Sequence, residues 1–287
     1  MQYPHTELVL NNKGQVYHLG LSPENISDKI ILVGDQDRVA LVASFFDSIE
    51  HSSQHREFVC TTGVYKGKRI SAVSTGIGTD NIDITINELD ALFNIDLVKR
   101  EDKEILTSLR LIRIGTCGIL HPEIALHSYI LSTHAFGLDN VAHYYDIPFT
   151  AEEEALNDAI NRAVKLPTAI KTYLVKASES LNSQLRSEET VEGITITSSG
   201  FYGPQGRQLR LPVHTNQLND QLSAFEHDGA RITNFEMESS ALFALGKALG
   251  HECSTICLGI ANRPRKDFSK DYSKPMLELI EYVLDRI

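Results

Sequence analysis

The chain has 287 residues, a formal net charge of −11, and 42% hydrophobic and 23% charged side chains, with nine prolines and no tryptophan. That is an ordinary globular composition, and the deficit of Lys and Arg excludes a nucleic-acid or anionic-membrane surface as partner, because such binding draws on excess positive charge. Cys60, Cys117, Cys253 and Cys257 form no C-x-x-C pair, so neither a zinc site nor a disulfide framework is expected, and a reducing cytoplasm suits the chain best.

The N-terminal stretch "MQYPHTELVLNNKGQV" lacks the basic-then-apolar pattern of a secretory signal, and no apolar run approaches membrane-spanning length. From Lys29, "KIILVG" is a short apolar run ending in glycine. "DQDRVALVASFF" then places Val39, Leu41, Val42 and Phe45 at helical spacing, which predicts strand, turn and helix. "REFVCTTGVYKGKRISAVSTG" alternates around a Lys-Gly-Lys turn and reads as a β-hairpin, followed by a helix from about Asn81. The charge-dense "DLVKREDKEILTSLR" is either an extension of that helix or a solvated surface excursion.

"LRLIRIGTCG" reads as a buried strand, "HSYILST" as another, and helices are expected from about Ala151 to Ser183, punctuated at Pro167. "GITITSSG" predicts a strand entering the Gly/Pro-rich loop "FYGPQGRQ", and "NFEMESSALFALGKALG" passes from an extended stretch into an amphipathic helix with a glycine stop. A last strand, "CSTICLGIANRP", precedes the terminal helix "SKPMLELIEYVLDRI". Strands alternating with helices predict a three-layer α/β/α sandwich around a central mixed β-sheet. With no repeat or linker, a single domain over residues 1–287 is expected.

In such sheets ligands collect outside the carboxyl ends of strands. Three predicted strand ends carry unusual polar residues: Gly34 with Arg38, Arg113 with Thr116, and Glu236 with Glu238. Arg113 poses the sharpest question, because an ionised guanidinium inside an apolar strand is costly unless an anion is paired with it. That anion is either a carboxylate of the protein or a ligand. Gly34 permits close backbone approach and the following helix offers free N–H groups, so an oxyanion could sit there. Arg38, near a helix N-terminus where cations are disfavoured, makes sense beside an added dianion; the bland alternative is pairing with Asp35 or Asp37. The two glutamates either give a pocket at these strand ends its negative half or cap the helix that follows. The lone G-x-G of "STGIG" lacks the third glycine of a dinucleotide fingerprint, and no Walker motif is present, which disfavours a nicotinamide cofactor and a P-loop ATPase.

Taken in order, "HLGL", "VGDQDR", "HREF", "STGIG", "RIGTCG", "FYGPQGR" and "NFEMES" resemble the motifs of the uridine phosphorylases within the nucleoside phosphorylase superfamily, from His18 to about Ile260. The resemblance implies the same α/β sandwich and a pentosyltransferase acting in pyrimidine salvage by reversible phosphorolysis of uridine to uracil and ribose 1-phosphate. It assigns phosphate to Gly34, Arg38, Arg113, Thr116 and, from a neighbouring subunit, Arg56. Ribose falls to Met237 and Glu238 with His18 of the adjacent subunit, and the base to Gln205, Arg207, Phe201 and Glu236. Arg113, Gln205 and Arg207 are then the catalytic candidates, and the counter-ion of Arg113 is expected to be a substrate.

No cofactor or metal is implied, phosphate being a co-substrate. Residues acting in trans imply a homodimer at minimum, with a hexamer of three dimers in bacterial relatives. The alternatives are a purine nucleoside phosphorylase or nucleosidase of the same superfamily, and a non-catalytic nucleoside-binding protein. Purine-specific relatives place an Asp on the last-strand loop, where this chain reads "GIANRP".

Overall fold

The computed structural model describes residues 2–287. Its elements begin with β1 (Lys29–Val33), α1 (Gln36–Ala43), β2 (Ser48–His55), β3 (Phe58–Tyr65), β4 (Lys68–Ser74) and α2 (Thr79–Asn94). There follow the short β5 (Ile95–Asp96) and β6 (Glu101–Asp102), then β7 (Arg110–Ile119), β8 (Tyr129–Gly137), α3 (Ala151–Ala163), β9 (Tyr173–Lys176) and α4 (Glu179–Leu185). The chain closes with β10 (Thr190–Thr197), α5 (Leu218–Ser223), β11 (Glu226–His227), β12 (Ala230–Glu236), α6 (Ser239–Leu249), β13 (Glu252–Asn262), β14 (Asp267–Phe268) and α7 (Ser273–Leu284).

Twelve of these strands make one mixed sheet, ordered β11-β12-β10-β8-β13-β7-β1-β4-β3-β2, with β9 and β14 attached to β8 and β13. A further pairing of Asn234 and Phe235 on β12 with Ile119 and Gly118 on β7 closes the strands β7, β13, β8, β10 and β12 into a ring. The apolar run of β1 is explained by burial on both faces. Ile30 and Leu32 pack with Ile82 and Leu89 of α2 and Leu242 of α6; Ile31 and Val33 pack with Val39 of α1, Leu181 of α4 and Leu279 of α7. Continuous apolar strands of this kind belong to parallel pairs covered by helices, and β1 is parallel to both β4 and β7. The three-layer α/β/α arrangement follows.

Two segments differ from the sequence reading, and a third decides between two alternatives it left open. The stretch expected to be helical between Ala151 and Ser183 contains β9, a four-residue strand antiparallel to β8; its Tyr, Leu and Val are strand formers too few to show a period. β2 has polar residues on both faces and lies at the sheet edge, paired only to β3, so it lacks the alternation that identifies a half-buried strand. The charge-dense segment after α2 is a surface excursion and not a helix extension. Buried Asn94 ends the helix by accepting from the Thr107 amide at 2.7 Å and donating to the Thr107 carbonyl at 3.1 Å.

That excursion has a structural job. Arg100, in the left-handed region at φ 61° and buried, donates to the carbonyls of Tyr3 (2.8 Å), Pro4 (2.9 Å) and Leu8, while Tyr3 donates from its hydroxyl to Asp102 at 2.7 Å. The N-terminal segment is thus held by one guanidinium. Arg100→Ala is expected to cost about 1–3 kcal/mol and to make residues 2–10 protease-sensitive. Denaturant titration and limited proteolysis with mass mapping check both.

Candidate active site

The carboxyl ends of β1, β7 and β12 open onto a cavity of about 770 Å³. Gly34, Arg38, Arg113 and Thr116 wall one part of it, Glu236, Met237 and Glu238 lie beside them, and Phe201, Gln205 and Arg207 form the remainder. A second cavity of about 650 Å³ behind the 202–207 loop is walled mainly by aliphatic side chains such as Leu138, Ile170 and Leu211. The polar groups suited to chemistry converge on the first.

Arg113 reaches the cavity because of the strand beneath it. Its neighbours Ile112 and Ile114 face the α1/α7 layer, so Arg113 faces the α2/α6 layer with Leu111. The residue two positions on, on the same face, is Gly115, and a Cβ there would collide with Arg113 Nη1 and come within 2.9 Å of Cys257 Sγ. Only glycine leaves the guanidinium room to lie along β7. Its charge is taken up by two buried carboxylates: Nη2 is bonded to Glu238, and Nη1 lies 3.4 Å from Glu236. Burial works against this cation, but Glu238 and Glu236 outweigh it and hold the Arg113 pKa above the usual arginine value. The expectation that a substrate is the counter-ion of Arg113 is therefore corrected: within the protein itself, Glu236 and Glu238 neutralise it. The Nε atom, also buried, has no partner among the described residues.

Arg38 differs. Its side chain makes no hydrogen bond or ion pair among the described residues, and Asp35, the alternative partner, instead caps α1 by accepting from the Asp37 amide at 3.0 Å. Burial lowers the Arg38 pKa, and the like charge of Arg113 lowers it further. Two cations that repel each other, one with no counter-ion and the other with an unused buried Nε, would each be stabilised by a small anion placed between them.

The glutamates divide the two roles that the sequence left open. Glu236 is the helix cap: its carboxylate accepts from the amides of Glu238 (2.9 Å) and Ser239 (3.0 and 3.1 Å) and from the Thr197 hydroxyl (2.6 Å). The assignment of Glu236 to the base is corrected accordingly, since its oxygens are committed at the start of α6 beside Arg113. Glu238 turns away from the helix into the cavity, where one oxygen accepts from the Gly78 amide at 2.8 Å and the other from Arg113. Burial and the charge of Glu236 raise its pKa, and Arg113 opposes them. Gly78, which the sequence reading did not nominate, can meet this carboxylate because the "STGIG" turn runs through positive φ at Gly76 and Gly78.

Farther along β7, near Gly118, stand Arg207 and Arg263. Arg207 Nη1 donates to Gln205 Oε1 and, at 2.6 Å, to the Phe201 carbonyl, and its guanidinium stacks 3.8 Å from the Phe201 ring centroid. Buried Gln205 is thus oriented with its amide nitrogen uncommitted. Arg263 was not nominated. Its Nη2 donates to the Gln205 carbonyl at 3.1 Å, and its buried Nη1 has no partner among the described residues. Burial, and then the proximity of Arg263, push the Arg207 pKa down to about 10, leaving it cationic at neutral pH. Burial likewise lowers Arg263. The sequence signal is the arginine of the "NRP" tripeptide, at the position where purine-specific relatives carry an acid.

His18 and Arg56 do not line this cavity. They stand together elsewhere on the surface: the His55 ring bonds to the His18 carbonyl at 2.8 Å, and the Arg56 guanidinium lies over the Tyr17 ring at 5.4 Å. Glu88 of α2 accepts from the amides of His18 and Leu19 and lies 2.7 Å from His18 Nδ1, so Nε2 is the ring atom left for another partner.

The cavity thus sets two close cations beside a buried carboxylate and a planar amide–guanidinium pair. The family model for the phosphorylase superfamily matches residues 28–283, and the chain belongs to that superfamily. It is 30% identical over 264 residues to the uridine phosphorylase of Thermococcus kodakarensis, covering 90% of this chain and 81% of that one. It is 26% identical to the uridine phosphorylase of Escherichia coli, with 89% of each covered. A solved nucleoside phosphorylase of Trypanosoma brucei, described as showing uridine phosphorylase activity, superposes with a TM-score of 0.89 at 27% identity over 98% of this chain and all of that one. A purine nucleoside phosphorylase of Alkaliphilus metalliredigens matches at 36%, over only 41% of this chain.

The glycines separate space from chemistry. Gly115→Ala should displace the Arg113 guanidinium and raise the KM for phosphate about tenfold or more, about 1.4 kcal/mol of binding. Gly118→Ala, whose Cβ would meet Arg263 and Arg207 only at 3.7–3.8 Å, should leave KM within about twofold. Steady-state kinetics on the two variants makes the comparison.

Proposed function

We propose that the protein carries out reversible phosphorolysis of uridine, yielding uracil and ribose 1-phosphate. Phosphate sits against Arg38 and Arg113, with the Gly34 backbone and the Thr116 hydroxyl completing the seat. Glu238 accepts from the ribose hydroxyls beside Met237. Gln205 and Arg207 meet the polar edge of uracil with Phe201 alongside. As the glycosidic bond lengthens, positive charge grows on the sugar between the phosphate and Glu238, and negative charge grows on the departing base. Preorganised charges stabilise both without a covalent intermediate.

One observation carries the choice of base. The base end is lined by one half-buried guanidinium, Arg207, with a second, Arg263, behind Gln205 and outside the cavity lining, and among the described residues no carboxylate is paired to either. A pyrimidine leaving as an anion is stabilised by such cations, whereas a purine leaving through a protonated ring nitrogen asks for an acid. The unpartnered Arg38 argues for phosphorolysis over hydrolysis by the same logic, because water needs no cation.

The surface position of His18 and Arg56 supports their donation to the site of a second protomer, so the working unit is a homodimer at minimum. All four cysteines are free and buried, which suits a reducing cytoplasm, and no helix is long and apolar enough to cross a membrane.

Uracil release from uridine should require phosphate, and inosine should remain uncleaved; liquid chromatography of the reaction mixture reads both. Equal uridine cleavage without phosphate would point to a nucleosidase. Tight uridine binding without turnover would point to a binding protein. Arg207→Ala should lower kcat about 10²-fold, and a change of only a few-fold would remove Arg207 from the leaving-group role.

A further inference from the structure

The donors of Arg113 are unevenly committed, and so are the carboxylates that face it. Nη2 is bonded to Glu238, Nη1 is 3.4 Å from Glu236 and 3.7 Å from Cys257 Sγ, and Nε is unpartnered. Glu236 is anchored independently by Thr197 and the amides that open α6, so it stays in place whether or not Arg113 attends it. Glu238 accepts from only the Gly78 amide and Arg113, and its carboxyl otherwise lies against that of Glu236, whose like charge works against holding it there. Of the two, Glu238 is the one that can be exchanged.

We propose that the Arg113–Glu238 bond couples the two substrate subsites. An oxyanion seated by Arg38 competes with Glu238 for the Arg113 guanidinium. The Glu238 oxygen released in that exchange becomes the acceptor for the ribose hydroxyls. The inference rests on the reading of this cavity as a phosphate–nucleoside site and adds a direction to it.

A nucleoside arriving first must draw the same oxygen away from a buried cation, and breaking a buried ion pair for neutral hydroxyls is costly. A nucleoside arriving after the oxyanion finds that oxygen already free, because the dianion, held by two guanidinium groups, has taken over Arg113. Oxyanion binding therefore strengthens nucleoside binding. By linkage the nucleoside strengthens oxyanion binding by the same factor. Gly78 keeps Glu238 aimed into the cavity throughout, so the exchange needs only a small displacement of one carboxylate.

Sulfate supplies a tetrahedral dianion too weakly nucleophilic to cleave the glycosidic bond, so the coupling can be measured at equilibrium. Uridine binding to the wild-type protein is titrated calorimetrically in sodium sulfate and in sodium chloride of matched ionic strength. The expected result is uridine binding tighter by about fivefold or more in sulfate, with no change for 2′,3′-dideoxyuridine, which lacks the hydroxyls. Glu238→Gln, checked for folding by thermal unfolding, should abolish the sulfate effect. Should that variant not fold, the comparison of uridine with dideoxyuridine on the wild type decides.

Equal uridine affinity in the two salts overturns the proposal. So does equal tightening of dideoxyuridine, or tightening that survives in Glu238→Gln, either of which would place the coupling in direct contact between oxyanion and nucleoside. An enzyme that releases uracil from uridine yet shows no sulfate effect loses only the coupling. One that neither binds uridine nor releases uracil loses the functional reading as well.

Discussion

A guanidinium enclosed by two carboxylates at the end of a central strand is the constraint around which the rest is arranged. Arg113 is buried and would be expensive alone; Glu236 and Glu238 make it tolerable. Supplying those carboxylates requires the start of α6 to abut the middle of β7, which the pairing of β12 with β7 enforces. It also requires a glycine at 115 so that the side chain can lie down. The pocket is in that sense a by-product of neutralising one charge inside a sheet.

Around this cluster the site is graded in charge. Among the described residues Arg38 stands without a counter-ion, Arg113 has two, and at the far end Arg207 and Arg263 are stacked or tucked against neutral groups. A net charge of −11 over the chain makes this local excess of cations conspicuous. The overall charge disfavours anions, whereas the partly desolvated cations of this cavity would attract one more strongly than they would in water.

Much of this was legible in the residues. The arginine in an otherwise apolar run marked β7 as unusual, and glycines and acids at strand ends marked the cavity, because both signals are local in sequence. The identity of the counter-ion was not legible, since Glu238 lies 125 residues beyond Arg113 and nothing nearby in the chain announces the contact. Glu236 and Glu238 share one short motif yet do different work, and only the direction each carboxyl takes tells them apart. Arg263 escaped notice because its value depends on the Gln205 carbonyl, again a distant partner. Among the elements, β2 and β9 escaped because an exposed edge strand and a four-residue strand carry too little periodicity. Arg100 read as one charge in a solvated run, although its guanidinium is buried under the N-terminal segment.

The ring formed by β7, β13, β8, β10 and β12 has a further consequence. An open sheet can fray from an edge, one ladder at a time, but a strand in a closed circuit is held on both sides. Arg113 is laddered on both sides, to Thr255 of β13 and Leu32 of β1, so loosening it locally means breaking two ladders together, whereas Thr116 and Glu236 are paired on one side each, to Leu258 and Thr197. The backbone amide of Arg113 should therefore exchange its hydrogen only with the slowest cooperative opening of the molecule. Adaptability is left to the side chains and to the 201–217 loop, which lies outside the circuit.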